Sequence, residues 1–415
     1  MEPKKPITPV TVSQRIISLD VLRGFALLGI LIMNIQHFSM PGSAYINPDA
    51  YGDLTGINKV IWIVSHLLAS EKFMSIFSML FGAGVFLFIK NAVSRERRAG
   101  PLHYRRMFWL LVFGMLHAYL LWAGDILVAY SLCGMLVFVF RKQQPQNLLW
   151  ISLAFLLVPL LIYLGGYFSN PYWSPEDHRS LAQGWNPGPE ILQKEISALQ
   201  GDWLMQMESR VPASIFMQTS LFFMDVFWRV TSMMLLGMAL FKWKIITAER
   251  SRGFYLRMMI IGLALGYLLS GWGVVLNFST GWEARTSMFL FKHFNYFGSL
   301  AVALGYIGMI MLLVQSSFMN HLKNALAATG RMAFSNYILM SLIGTFIFYG
   351  HGLGLFGKAE RTYQVLIMIA IWLIVVAFSM LWLKHFRFGP LEWLWRSLTY
   401  WKRQPFRIGL LKKGH

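Results

Sequence analysis

Apolar residues along this chain fall into ten long runs, each about 20 residues and separated by short polar joints. A run of that length wound as a helix matches the roughly 30 Å hydrocarbon thickness of a bilayer. The pattern therefore predicts an all-α integral membrane protein with about ten transmembrane helices in one bundle. The first crossing is expected at Ile17 to Met40, and the second within Asn58 to Lys90, whose first part reads as interfacial or tilted. Crossings three to five fall at Met107 to Leu121, Ile126 to Phe140 and Leu148 to Tyr167. The rest fall at Pro212 to Phe241, Phe254 to Leu276, Phe294 to Val314, Met332 to Tyr349 and Tyr363 to Leu383.

The joints sort by charge. Lys90, Arg95, Arg97, Arg98, Arg105 and Arg106 form one basic joint, Arg141 and Lys142 a second, and Lys242, Lys244, Arg250 and Arg252 a third. Lys323 and the tail carrying Lys384, Arg387, Arg396, Lys402, Arg403, Arg407, Lys412 and Lys413 complete the set. The positive-inside rule places these joints and both termini in the cytoplasm, and the Trp122 to Asp125 turn outside. Three regions follow: a five-helix half at 1–168, an extracytoplasmic segment at 169–211, and a second five-helix half with a basic tail at 212–415. The middle segment holds Asn-Pro, Ser-Pro and Gly-Pro breakers before a helical stretch, Glu190 to Leu199, that suits the outer surface.

Composition agrees. Hydrophobic residues make up 56% and charged residues 13% of the chain, against roughly 25% charged in soluble domains. The net charge of +19 comes from clusters between apolar runs and not from a continuous patch, so membrane lipids are the expected partner and nucleic acid is not. Cys133 is the single cysteine, so no intramolecular disulfide can form. The polar start, Met1 to Arg15, leads into a run that reaches Asn34, Gln36 and His37 without a small-residue cleavage site, which reads as a retained helix. No spaced Cys/His set marks a metal site, and no GxSxG, HExxH or phosphate-loop motif is present. The 25 methionines read as core and lipid-facing filler.

Ionisable residues inside apolar runs cost roughly 2.5–3.5 kcal/mol on insertion scales, so they are the candidates for function. On the first helix Asp20, Arg23, Asn34 and His37 share one stripe about 100° wide. Asp20 and Arg23 also suit a local ion pair at the headgroups, and His37 an interfacial histidine. On the third run Arg106 and His117 are eleven residues apart and align on one face. His117 sits near the outer end, where a neutral imidazole serves as base or hydrogen-bond partner, and Asp125 lies just across the turn. An Asp there also caps the next helix, which is compatible with orienting the histidine. Lys72, Ser75 and Ser78 on the second run and Asn336 with Tyr337 on the ninth add further intramembrane polar groups. Asp225 and Arg229 read as an i, i+4 helical pair, and Gly82 and Gly84 as close-packing positions.

Ser18-Leu19-Asp20-Val21-Leu22-Arg23-Gly24, followed by Asn34, resembles the first helix of the transmembrane acyltransferase superfamily. The closer resemblance, over nearly the whole chain, is to the bacterial YeiB-like membrane proteins. It is carried by Lys72-Phe73, Leu80-Phe81-Gly82-Ala83-Gly84, His117, Trp122, Gly124-Asp125-Ile126-Leu127 and Tyr130. In the second half it is carried by Gly330-Arg331-Met332-Ala333, Asn336-Tyr337, Phe348-Tyr349, Gly352-Leu353, Gly389-Pro390 and Glu392 to Arg396. The resemblance implies a multi-pass protein of the bacterial cytoplasmic membrane. The superfamily implies transfer of an acyl group from a cytoplasmic acyl-CoA, as in heparan-α-glucosaminide N-acetyltransferase and the bacterial O-acyltransferases. Where the O-acyltransferases carry a histidine, this chain has Asn34, as the heparan enzyme does. The heparan enzyme's histidine lies in the loop after its first helix, and Pro41 to Gly56 contains none here.

The leading expectation is thus an acyltransferase acting on a small hydroxyl or amine acceptor, with no tightly bound cofactor and acyl-CoA as donor substrate. Arg23 and Arg106 attract donor phosphates, His117 oriented by Asp125 is the general base with His37 second in line, and Asn34 or Asn336 stabilises the oxyanion. Asp20, Lys72 and Tyr130 complete the expected binding set. The alternatives are a small-molecule transporter with a buried polar pathway and a lipid-binding protein without turnover. The sequence leaves the oligomeric state open, a homodimer included.

Overall fold

The computed structural model describes residues 16–94 and 98–408, and it is helical throughout, with one isolated bridge between Phe386 and Arg407 as the only β pairing among them. Arg95, Arg97, Lys412, Lys413 and both chain ends lie outside the described residues. Helix α1 (Ile17–Ser39) leads into the short α2 (Gly42–Ile46), then α3 (Gly56–Ala69) and α4 (Lys72–Val93). The pair α5 (Ala99–Leu120) and α6 (Leu127–Val137) is followed by α7 (Pro145–Ser169). Two peripheral helices, α8 (Pro175–Trp185) and α9 (Pro189–Gln200), precede α10 (Met207–Gln218) and α11 (Phe227–Lys242). The chain continues through α12 (Arg252–Ser279), the single turn α13 (Ala284–Thr286), α14 (Lys292–Gln315), α15 (Asn320–Arg331) and α16 (Ala333–Phe348). It closes with α17 (Arg361–His385) and α18 (Pro390–Tyr400).

Seven helical segments are long and apolar enough to cross a membrane, and an eighth arises if α15 and α16, bent by 83° at Met332, count as one span. The expected pair at α5 and α6 stands outside that group. Helix α5 opens on the polar run His103 to Arg106, and α6 has eleven residues, about 16 Å, before a 3-10 turn at Phe138–Lys142 continues it. The segments differ in role: 56% of the most apolar window of α1 is buried, against 28% in α12 and 22% in α17. Apolar surface left outside a bundle is what lipid covers, so α12 and α17 are peripheral and α1 is central.

Small residues set the closest helix contacts, as expected where lipid offers no hydrophobic drive for association. A Cβ on Gly24 would sit on the Leu326 carbonyl and one on Gly330 on the Asp20 carbonyl, which locks α1 against α15. Gly82 meets the Met234 backbone and Gly237 the Met79 backbone, which locks α4 against α11, whereas Gly84 faces open space.

Hydrogen bonds gather the basic joints at one end of the bundle. Lys242 donates to the Arg141 carbonyl (3.2 Å), Arg252 to Gln315 (3.2 Å), Ser18 to Ile246 (2.9 Å) and Trp395 to Arg106 (2.8 Å). The opposite end is closed by Tyr51 on the Gly357 carbonyl (2.6 Å), Arg361 on Asp53 (2.6 Å), Gly350 on Leu199 (2.9 Å) and Arg210 on Leu120 (3.0 Å). The segment 169–211 belongs to that end, with α9 where the helical stretch was expected.

Candidate functional site

Helix α5 ends where the amides of Leu121 and Trp122 both bond the His117 carbonyl, and α6 begins five residues later. So short a turn forces the two helices to run antiparallel. Gly114 admits the Val128 backbone, which brings the start of α6 alongside the last turns of α5. Asp125 then serves two partners. Its Oδ2 accepts the Val128 amide at 2.8 Å, and its Oδ1 lies 2.8 Å from His117 Nδ1. Capping and orienting are performed by the same carboxylate.

The other imidazole nitrogen is also occupied. His117 Nε2 lies 2.9 Å from Ser341 Oγ on α16, so Asp125, His117 and Ser341 form a linear chain drawn from three elements. One turn earlier on α16, the Tyr337 hydroxyl accepts the Ile126 amide and donates to the Gly124 carbonyl, both at 3.3 Å, pinning the turn that carries Asp125. A carboxylate only accepts, so in the neutral imidazole its partner Nδ1 carries the proton and Nε2 presents a lone pair. With Nε2 as acceptor, Ser341 is the donor at 2.9 Å, and its Oγ also lies 3.3 Å from the Tyr337 carbonyl one turn back on its own helix, a second acceptor for the same proton. All three residues are buried, with exposures of 8%, 4% and 1% for Asp125, His117 and Ser341.

His37 joins this group indirectly: Trp122 Nε1 donates to His37 Nδ1 at 3.1 Å, and the Trp122 ring stands edge-on to His117 at 6.1 Å. Ser341 was not anticipated from the sequence. The available signal was the series Tyr337, Ser341 and Thr345, polar groups four residues apart on a helix that is apolar after its first turn; such hydroxyls usually bond back to their own helix, as Thr345 does to the Ser341 carbonyl (2.9 Å) and Ser341 to the Tyr337 carbonyl (3.3 Å).

At the basic end Arg23 pairs with Asp20 at 3.0 Å, the local pair expected there. Arg106 is held between the rings of Phe88 and Trp395, with centroid distances of 4.8 and 4.5 Å. Arg23 and Arg396 lie within its electrostatic reach. Between the two ends, the Asn34 side chain makes no hydrogen bond to another described residue and is not sealed from solvent.

The remaining candidates lie elsewhere. Asn336 spends both N–H groups on the Thr329 carbonyl (3.0 Å) and Ser379 (2.8 Å), tying α16 to α15 and α17. Tyr130 bonds Ser78 at 2.8 Å and so ties α6 to α4. Lys72 donates to Asn295 (2.5 Å) and the His66 carbonyl (3.0 Å) within a second charged system. In that system Arg229 pairs with Glu71 (3.0 Å) and Asp225 with Lys292 (2.9 Å). The expected Asp225–Arg229 pair is not made, because residues 222–226 form a π-helical turn that breaks the i, i+4 spacing. Among the described residues no group of three or more His, Cys, Asp or Glu is arranged to hold a metal ion.

The fold and the apolar surfaces of α12 and α17 define a polytopic helical membrane protein. Its relatives agree. The chain is 32% identical to the uncharacterized protein YxaH of Bacillus subtilis (strain 168), covering 96% of this chain and 98% of that one. It is 31% identical to the uncharacterized protein YeiB of Escherichia coli (strain K12), covering 93% and 96%. A further relative, a 39.9 kDa protein from the amylase 3' region of Bacillus acidopullulyticus, is 28% identical over 98% of this chain and 99% of its own length. The family model described as protein of unknown function (DUF418) matches residues 240–402. The chain belongs to the YeiB and YxaH family.

Proposed function

We propose that this protein transfers an acyl group from an acyl-CoA, presented at the basic end, to a small hydroxyl or amine acceptor, with His117 as general base. The observation that carries this reading is the His117–Asp125 pair. A carboxylate at Nδ1 fixes the tautomer, leaves Nε2 basic and stabilises the imidazolium that forms when a proton is taken. Arg106 lies eleven residues below His117 on the same face of α5, an axial rise of about 16 Å, which is on the scale of a pantetheine arm. In this reading the basic end faces the cytoplasm of a bacterial inner membrane, and Arg23 and Arg106 hold the donor phosphates. Asn34, unpartnered between the two ends, is available to the donor arm. His37 acts through Trp122 as a positioning residue.

Purified protein in nanodiscs incubated with radiolabelled acyl-CoA tests this. Release of CoA that is abolished in His117→Ala, in a variant that still elutes as a folded species, is the expected result. Full turnover in that variant removes the base. The second charged system favours one other reading, a transporter whose Glu71, Lys72, Arg229, Asp225 and Lys292 line a polar path. Saturable binding of CoA separates the two, since a transport path gives no reason for it.

A further inference from the structure

We propose that Ser341 is a nucleophile and that transfer runs through an acyl-Ser341 ester, so that donor and acceptor react in separate half-reactions. This rests on the acyl-transfer reading above and goes beyond it in the identity of the first group to be acylated. The argument starts from valence. His117 has two nitrogens, and both are occupied within hydrogen-bond distance, Nδ1 by Asp125 and Nε2 by Ser341. The Nδ1 proton is fixed by the acceptor-only carboxylate, so the single lone pair of the imidazole points at the Ser341 hydroxyl. An external acceptor has no imidazole nitrogen to approach while Ser341 is in place. The one hydroxyl positioned to be deprotonated is the protein's own.

The supports of this arrangement are independent of one another. Asp125 is held by the Val128 amide, the turn before it is held by Tyr337, and Ser341 stands on the same face of α16 as Tyr337, one turn on. A histidine that needed only to be satisfied inside an apolar bundle would be served by any carbonyl, as His103 is by Gly134 at 2.9 Å. Here three side chains from separate elements are aligned carboxylate to Nδ1 and Nε2 to hydroxyl, the arrangement that activates a serine.

The chemistry balances. In the first half-reaction Ser341 Oγ attacks the thioester carbonyl carbon as its proton passes to His117 Nε2. The C–S bond then breaks, and the thiolate takes that proton to leave as free thiol. In the second, the acceptor O–H or N–H attacks the ester carbonyl and gives its proton to Nε2. The C–Oγ bond breaks and Ser341 recovers the proton. Asp125 stays ionised throughout as a positioning residue.

The test uses the full chain in nanodiscs and two readouts. A fluorophosphonate probe, which phosphorylates activated serines without any thioester, is expected to label wild type at Ser341 by peptide mass spectrometry. Labelling is expected to be lost in Ser341→Ala, His117→Ala and Asp125→Asn. Incubation with acyl-CoA followed by acid quench is expected to leave one acyl mass on the Ser341 peptide. Ser341→Cys, close in shape, is expected to retain an adduct that hydroxylamine removes. Absence of probe labelling in folded wild type overturns the proposal, as does CoA release in Ser341→Ala at the wild-type rate, which leaves His117 as a base for direct transfer. Probe labelling of Ser341 without consumption of acyl-CoA keeps the nucleophile and rejects the CoA donor instead.

Discussion

Removing Glu71 should cost more than its position at a helix break suggests. Arg229 is fully enclosed, with a side-chain exposure of 1%, and its guanidinium reaches Glu71 (3.0 Å), Ser75 (3.1 Å), Ser299 (2.7 Å) and the Tyr296 carbonyl (3.2 Å). Only the first carries negative charge. In Glu71→Ala the guanidinium keeps neutral acceptors and the more distant Asp225 but loses the one carboxylate it touches, and breaking a buried pair from one side costs about 3–5 kcal/mol. Glu71 itself is 31% exposed, which places the cost near the lower bound, about 3 kcal/mol. For a chain of 415 residues the usual unfolding entropy makes that a loss of roughly 3–4 °C in melting temperature. Arg229→Met removes the charge that needs compensation, so adding Glu71→Ala to it should cost little. Thermal unfolding of the four proteins in detergent, followed by size-exclusion fluorescence, closes the double-mutant cycle. A coupling below about 0.5 kcal/mol would show the two residues to be energetically independent and would refute the reasoning.

Gly82 and Gly84, two residues apart on α4, should respond with opposite signs to alanine. A Cβ at Gly82 collides with the Met234 carbonyl of α11, so Gly82→Ala should lose about 1–3 kcal/mol, whereas Gly84→Ala, facing open space, should gain up to about 1 kcal/mol from helix propensity; equal effects in the same unfolding assay would reject the packing argument. Glu195 on α9, at the end of the bundle away from the basic joints, accepts the Gly42 amide at 3.0 Å, yet burial holds its carboxyl above the ordinary range. The folded state therefore disfavours its ionised form, a cost present at neutral pH and lost as pH falls through the ordinary carboxylate range. Glu195→Gln should raise the melting temperature at pH 7 and lose that advantage near pH 4, and an advantage that does not change with pH would contradict the assignment.

Much of the site was legible because its residues break a strong rule. Arg23, Arg106, His117 and Asp125 stand out in apolar runs, and the eleven-residue spacing puts Arg106 and His117 on one face of their helix without any tertiary information. The short Trp122 to Asp125 turn makes the His117–Asp125 contact a consequence of chain geometry. Ser341 was not legible in the same way, because a serine costs little inside a helix that can satisfy it, and its meaning depends on which helix lies opposite. The Asp225–Arg229 pair failed for a local reason, a π turn that periodicity does not reveal. Asn336 looked functional because it is polar and deep, but a buried amide with two donors is equally a device for joining helices, as it does here.

The two polar systems differ in a way that bears on function. In the Glu71, Arg229, Asp225 and Lys292 system each carboxylate faces a cation, which is the arrangement that lowers the cost of burying charge. In the His117 system the Asp125 carboxylate faces an amide and a titratable ring in place of a permanent cation. An imidazole that can take a proton during a reaction beside a carboxylate has the electrostatics of a general base. That asymmetry, more than burial or depth, is why we propose the chemistry at His117 and Ser341 and a scaffold role for Arg229.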